Sequence, residues 1–311
     1  MGVGHRVVHG GPALRDPQVV TDELVETLRQ LVRFAPNHLP DEIHLIEAVR
    51  RLRPDTPQIV CFDTAFHADL PDVARNLAVP RRYAADGVRR YGFHGLSYTF
   101  LVDELRRRAG PSQADGRVLL AHLGHGSSLA AVSGGQSIDT SMGFTPIGGV
   151  VMSTRSGDLD PGVVTYIARS TGLGADQVEY ELSHRSGLEG LSGGTGEMRA
   201  LLAREASDEL CRLAVSIYCY EIKKRIGAYA AALGGLDVLV FSGGIGEHAP
   251  VVRARICSGL EFLGVDIDDE KNSDNAPLIS TSAARVAVHV IPTDEEVVIA
   301  QAAYRLLGRH S

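Results

Sequence analysis

The sequence contains the segment VLLAHLGHGSSLAAV at residues 118–132. Two apolar runs, 118–123 and 129–132, flank a polar turn with two glycines, and Gly134-Gly135 follows the second run. This pattern predicts a β-hairpin at the start of a domain. Because glycine has no Cβ, backbone N–H groups in such a turn are able to approach phosphate oxygens. A single glycine turn most often only reverses the chain, so nucleotide binding needs further support.

A second glycine-rich turn supplies that support. The helical pattern over 207–233 ends at Gly234-Gly235, and the apolar run 238–241 then enters the segment SGGIGE at 242–247. This order predicts a helix, a strand, and a glycine turn before another helix. Neither turn fits the Walker A or the GxGxxG pattern. Two turns that each follow an apolar strand nevertheless favour binding of nucleotide phosphates.

The flanking segments predict a mixed α/β order. Thr21 is a candidate N-cap for an amphipathic helix over 22–34, and a second helix is expected after Pro40. The apolar run 59–62 predicts a buried strand of a mostly parallel sheet that ends at Asp63. Near the C-terminus, Thr293 and Glu296 have the spacing of a capping box, which predicts a helix over 294–307 that stops at Gly308.

Composition limits the classes of partner. With 311 residues, 44% of them hydrophobic, the chain is long enough for two packed domains. A net charge of −7 gives no basic face for nucleic acid or an acidic membrane. No run approaches the ~20 apolar residues that span a bilayer, so we expect a cytoplasmic protein with no membrane contact. The cysteines lie in apolar segments and are expected to be buried free thiols, namely Cys61, Cys211, Cys219 and Cys257.

Four polar side chains at predicted element ends are candidates for chemistry. Arg6 lies in a segment that resembles a buried strand, where its guanidinium needs a carboxylate or phosphate partner. Asp63 follows a strand, which is where open α/β sheets bind ligands, although a turn or cap explains it equally well. His94 lies between glycines but could simply be packed. Arg155 lies in a polar loop, where a solvated salt bridge is the ordinary explanation.

Taken together, these residues resemble the acetate kinase family of the actin-like, sugar-kinase and Hsp70 superfamily. The resemblance is specific because eight segments match the family's motifs and follow the family's order over nearly the whole chain. They are HRVVHGG (5–11), FDTAFH (62–67), YGFHG (91–95), HLGHGSS (122–128), DTSMGFTP (139–146), TRSGDLDP (154–161), FSGGIGE (241–247) and PTDEEVVIA (292–300).

The resemblance implies an α/β fold with two ribonuclease-H-like (actin-like ATPase) domains and an interdomain cleft. Residues 1–66 and the C-terminal helix 294–309 would form the first domain, and residues 67–293 the second. The family opens with a strand and an Asn-x-Gly-Ser-Ser-Ser turn that have no counterpart before Arg6. The first domain is therefore expected to be N-terminally incomplete.

The resemblance also implies roles for individual residues. Arg6 would hold the substrate carboxylate, and Asp63 would position it or act as acid/base. His94 and Arg155 would stabilise the transferring phosphoryl group, and Glu295 would bind Mg²⁺ (or Mn²⁺) or its waters. The alkyl pocket would be formed by Val8, Phe93 and Pro146, with Asn37 in place of a family leucine. ATP or ADP would contact His122, Leu123, Gly124, His125, Gly126, Glu197, Met198, Arg199, Gly244, Ile245, Gly246, Glu247 and His248.

The function that follows is ATP-dependent phosphorylation of acetate or another short-chain carboxylate to an acyl phosphate. The family forms dimers, so a homodimer is implied. Two alternatives stay open from the sequence. One is a truncated paralogue that binds nucleotide with little or no turnover, and the other is a kinase for propionate, butyrate or a more polar acid. His125 also departs from the family, which has asparagine in this turn.

Overall fold

The computed structural model describes residues 2–308 and contains two β-sheets. The first sheet has the strand order β1-β3-β2, with β1 parallel to β3 and β2 antiparallel to it. Its strands are β1 (Val3–Val7), β2 (Gln18–Val19) and β3 (Gln58–Phe62). The parallel pairing brings the carboxyl ends of β1 and β3 together, so that Arg6 faces Cys61 in the register and Asp63 follows directly.

The second sheet has five strands in the order β6-β5-β4-β7-β8. An antiparallel hairpin forms one side, and two strands parallel to β4 form the other. The predicted hairpin over 118–132 is confirmed, as is the strand over 238–241. The strands are β4 (Arg117–Leu123), β5 (Ser127–Ser133), β6 (Gln136–Thr140), β7 (Val238–Ser242) and β8 (Ala287–Val290).

Helices cover both sheets. The last helix packs on β1, β3 and the helix that follows His94, which joins the C-terminus to the first sheet. The α-helices are α1 (Asp22–Leu31), α2 (Leu39–Leu52), α3 (Asp72–Arg75), α4 (Arg81–Ala85), α5 (Gly95–Ala109), α6 (Pro111–Ala114), α7 (Pro161–Thr171), α8 (Ala175–His184), α9 (Gly187–Ser192), α10 (Met198–Arg204), α11 (Glu209–Leu233), α12 (Gly243–His248), α13 (Pro250–Cys257), α14 (Asp269–Ser273) and α15 (Glu295–Leu307).

The largest core lies between the second sheet and α11. Tyr218, Ile222 and Ile226 of α11 are fully buried against the β4 residues Leu119 and Ala121. Burial of this kind contributes about 25 cal/mol per Å² of apolar surface, so the packing of α11 against the second sheet stabilises this part of the fold. All four cysteines are buried free thiols, as predicted. Among residues 2–308, no helix has the length and apolarity needed to cross a membrane.

Three local predictions are wrong. The N-cap of α15 is Asp294, whose side chain accepts the N–H of Val297, and no Thr293 capping box forms. The glycine turn predicted at 243–246 is helical, because α12 begins at Gly243. The β1 strand is not fully buried, since its side chains alternate and Arg6 is exposed. The division into two domains stays a prediction, and its boundary at residue 309 lies outside the described residues.

Candidate active site

An ion network forms where β1 and β3 end. The Arg6 Nε donates to Asp63 Oδ2 at 2.9 Å, and its Nη2 donates to the same oxygen. The Arg6 Nε also lies 3.7 Å from Glu295 Oε2. Asp63 is fully buried, whereas 45% of the Arg6 side chain is exposed. Arg6 therefore has its carboxylate partners within the protein and still presents part of its guanidinium to a ligand.

His94 is held at the start of α5 in an unusual backbone conformation. Its φ of 61° lies in the left-handed region, which costs energy in a residue other than glycine. The next residue, Gly95, donates its N–H to the Asp63 carbonyl at 2.8 Å, and a Cβ there would lie 2.3 Å from that oxygen. The close approach docks α5 on the end of β3 and fixes the direction of the His94 ring.

The His94 ring is neutral over the physiological pH range. Burial lowers its pKa well below the usual value, and the neighbouring His122 and Arg6 add to the effect. The two imidazoles are stacked with centroids 4.2 Å apart, and burial also lowers the pKa of His122 to about 4. The His94 Nδ1 lies 2.9 Å from Ser128 Oγ, so Nε2 is free to contact a ligand.

Arg155 and His94 converge at the glycine turn between β4 and β5. A Cβ placed on Gly126 would lie 3.2 Å from His94 Nε2 and 3.6 Å from Arg155 Nη1. Arg155 is half-buried and donates to the Pro146 carbonyl at 3.2 Å. Burial and the nearby Arg6 lower the pKa of its guanidinium. The structure thus brings His94 and Arg155 together, with Arg6 near enough for its charge to lower both of their pKa values, although the three residues are distant in sequence.

A cavity of about 570 Å³ brings together most of the residues expected to contact nucleotide. His122 and Glu247 lie outside its lining. The His122 Nδ1 pairs with Ser97 Oγ at 2.9 Å, and Glu247 accepts the N–H of Gly243 at 2.8 Å. Leu123, Gly126 and Gly246 also lie outside it. The lining residues from the expected set are Gly124, His125, Glu197, Met198, Arg199, Gly244, Ile245 and His248.

The residues expected to form the alkyl pocket separate into two groups. Val8 and Phe93 are packed in the core of the first sheet, with exposed fractions of 6% and 1%. Pro146 and Asn37 instead line a cavity of about 170 Å³ together with Arg155. Asn37 itself is exposed at this cavity. His125 lines this cavity and the 570 Å³ cavity, so the two cavities adjoin at that side chain.

Glu42 is a site neighbour that sequence reasoning missed. Its carboxylate oxygens accept the Val8 N–H at 3.1 and 3.2 Å, at the end of β1. Burial raises the pKa of Glu42 to about 7, with Asp63 adding to the rise, while the Val8 N–H and Arg6 act against it. No motif marks this contact, because it joins a helix to a strand 34 residues earlier in the chain.

Replacing Glu42 is expected to change the pH dependence of stability. Because its folded-state pKa is raised, its contribution to stability is complete below its unfolded pKa of about 4.3 and is lost as the pH rises through about 7. Glu42→Gln keeps an acceptor for Val8 and carries no charge. Relative to wild type, it should therefore gain roughly 1–2 kcal/mol in unfolding free energy between pH 5 and pH 8.

Urea unfolding at a series of pH values measures this difference. Glu23→Gln, at an exposed position on α1, serves as the matched control and should show the pH dependence of the wild type. Parallel curves for wild type and Glu42→Gln would show that Glu42 does not titrate near neutral pH.

Together with the comparisons that follow, the fold and the site place this chain among the phosphotransferases of the actin-like ATPase class. The sequence model of the Acetokinase family matches residues 1–301, and the chain belongs to this family. The acetate kinase of Rhodopseudomonas palustris (strain ATCC BAA-98 / CGA009) is 47% identical over 306 residues, which cover 98% of this chain and 76% of that protein.

Solved structures agree with this assignment. The crystal structure of Porphyromonas gingivalis acetate kinase superposes with a TM-score of 0.92 at 38% identity, covering 98% of this chain and 78% of that one. A propionate kinase from Francisella tularensis subsp. tularensis SCHU S4 gives a TM-score of 0.93 at 37% identity, covering 97% of this chain and 78% of that one. Both alignments extend over almost all of this chain, so its fold is that of these kinases.

Proposed function

We propose that this protein transfers the γ-phosphoryl group of ATP to a short-chain carboxylate, in a reversible reaction that forms an acyl phosphate and ADP. The observation that carries the proposal is that two cavities adjoin beside His94 and Arg155. The larger cavity, with Gly124 and Gly244, suits the nucleotide, and the smaller one contains Arg155. They adjoin at His125, close to where His94 and Arg155 meet at Gly126.

The chemistry requires little from the protein beyond position and charge. A carboxylate is already ionised at pH 7, so no general base is needed. One carboxylate oxygen forms a bond to the γ-phosphorus, and the bond from that phosphorus to the bridging oxygen breaks, leaving the electron pair on ADP. Charge on the equatorial phosphoryl oxygens is then stabilised by the Arg155 guanidinium and the neutral His94 Nε2–H.

Arg6 is proposed to hold the carboxylate of the acid. Its planar fork suits a carboxylate, and Asp63 fixes the orientation of the guanidinium through two hydrogen bonds to one oxygen. Asp63 is thus proposed as a positioning group. Val8 and Phe93 support the pocket from the core, whereas Pro146 contributes directly to a cavity wall.

A magnesium ion fits the carboxylates beside Arg6. The buried Asp63 Oδ1 has no hydrogen-bond partner within residues 2–308, and Asp63 raises the pKa of the nearby Glu295, whose own burial has the larger effect. Mg²⁺ prefers oxygen ligands and is often held by one or two carboxylates together with substrate phosphates. We therefore propose that Glu295, with Asp63 close by, holds Mg²⁺ or Mn²⁺ or its waters. The ion would neutralise phosphate charge.

Acyl phosphate formation tests the proposed function. The protein is incubated with ATP, Mg²⁺ and acetate, and the product is trapped with hydroxylamine as the hydroxamate. We expect hydroxamate in proportion to ADP and dependent on acetate. A protein that binds ADP in calorimetry but forms no hydroxamate from any short acid would instead be a nucleotide-binding paralogue.

A homodimer and a cytoplasmic location belong to the same proposal. Exposed apolar side chains of α7 and α11, including Tyr166 (70% exposed) and Tyr220 (60% exposed), lie on two helices that share a cavity of about 430 Å³. Such a surface suits contact with a second copy, which sedimentation velocity would detect as a dimer. The use of ATP favours the cytoplasm, which cell fractionation tests.

A further inference from the structure

The cavity beside Arg155 extends to polar side chains that the proposed reaction does not use. Part of its lining comes from the segment 34–38, and another part comes from Glu179, Ser183 and His184 of α8. His38 is the last residue of the first segment. Burial lowers its pKa, and the charges of Arg155, Arg6 and His184 contribute to the shift. His38 is therefore within electrostatic reach of Arg6, of Arg155 and of His184 on α8.

Several oxygen acceptors line this cavity. The Asn37 Nδ2 donates to Glu179 Oε1 at 3.2 Å, a contact across 142 residues. The Glu179 carboxylate and the amide oxygen of Asn37, which is exposed, provide further acceptors at this cavity. The Ser183 hydroxyl is buried, with the residue 6% exposed, and it has no hydrogen-bond partner within residues 2–308. A methyl group placed here would satisfy none of these oxygens.

The size of the cavity also exceeds what acetate needs. A volume of about 170 Å³ is several times the roughly 30 Å³ that a water molecule, similar in size to a methyl group, occupies in the liquid. We propose that this cavity is a subsite for a hydrogen-bond donor, a hydroxyl or an ammonium group, at the distal end of the acid. The inference rests on the proposed function, because the acid's carboxylate must be bound at Arg6. The substrate class is then a short carboxylic acid with a polar end.

Acids matched in length test the subsite. The kcat/KM values of the wild type are measured for acetate, propionate, 3-hydroxypropionate and β-alanine. We expect at least one polar acid to exceed propionate by about tenfold, because a distal donor can pair with Ser183, Glu179 or Asn37, whereas a methyl group replaces none of the hydrogen bonds that water makes there. In Asn37→Leu, the ratio of polar acid to propionate should fall about tenfold. This ratio cancels any general loss of activity.

Two further variants identify the donor and control for charge. Glu179→Gln keeps an acceptor but loses the charge. If its kcat/KM falls more for β-alanine than for 3-hydroxypropionate, the donor is an ammonium group. If kcat/KM falls equally for the two acids, the donor is a hydroxyl group. Glu181→Gln, exposed on the same helix, should leave the ratios unchanged. Wild-type turnover of acetate and propionate with no preference for either polar acid would overturn the subsite and leave the proposed function standing. If the protein phosphorylated none of the acids, both the subsite and the proposed function would be overturned.

Discussion

Arg155→Ala is expected to lower kcat for acyl phosphate formation by about 10³-fold. Arginines that stabilise a transferring phosphoryl group contribute on this scale, because charge develops on the phosphoryl oxygens in a site that excludes water. Arg155 is half-buried and lies beside His94 and Gly126, where that charge would form. It does not line the 570 Å³ cavity, so KM for ATP should change little. Steady-state kinetics with the hydroxamate readout measure both constants.

Two control variants make this result specific. Arg155→Lys keeps the positive charge but loses the planar fork, and its kcat should lie between those of wild type and alanine. Arg185→Ala removes an exposed arginine beyond the end of α8 and should leave kcat unchanged. If Arg155→Ala retained more than a tenth of wild-type kcat, Arg155 would be a structural residue of its loop.

Arg253→Met is expected to lower the free energy of unfolding by about 3–5 kcal/mol. Arg253 is fully buried, and it donates to Asn272 and Asn275 and to the carbonyls of Gly246 and Glu247. Burial lowers its pKa to about 10, so it remains cationic at pH 7. Methionine fills similar volume but leaves several buried acceptors unsatisfied.

Chemical denaturation measures this loss, and ATP binding adds a second readout. Because Arg253 holds the C-terminal carbonyls of α12, its loss should also weaken nucleotide binding at Gly244 and Ile245. Arg169→Met, an exposed arginine on α7, controls for loss of an arginine as such. An Arg253→Met protein within 1 kcal/mol of wild type would mean that water or side-chain movement satisfies those acceptors.

Elements that depend on local patterns were predictable from the sequence. The hairpin of β4 and β5 follows from two apolar runs around a glycine turn, and the buried β3 follows from an apolar run that ends at Asp63. Arg6, His94 and Arg155 were predicted as site residues because the motifs that contain them resemble those of the family. Their proximity follows from the fold that those motifs imply.

Contacts between distant segments were not predictable in this way. The Glu42 contact with Val8 and the Asn37 contact with Glu179 join segments that no short pattern relates. The glycine content of segment 243–246 predicted a turn, because glycine disfavours helix. The segment is helical instead, and Glu247 supports α12 by accepting the Gly243 N–H. At α15, both Thr293 and Asp294 are good capping residues, and only the packed chain selects Asp294.

In the proposed reaction, a carboxylate oxygen attacks the γ-phosphorus of ATP directly. Phosphorus NMR with ATP, Mg²⁺ and acetate labelled with ¹⁸O in both carboxyl oxygens tests this step. We expect an acyl phosphate resonance that shows the isotope shift of one ¹⁸O bonded to phosphorus, with unlabelled ADP. Formation of ADP and inorganic phosphate without a labelled acyl phosphate would contradict it.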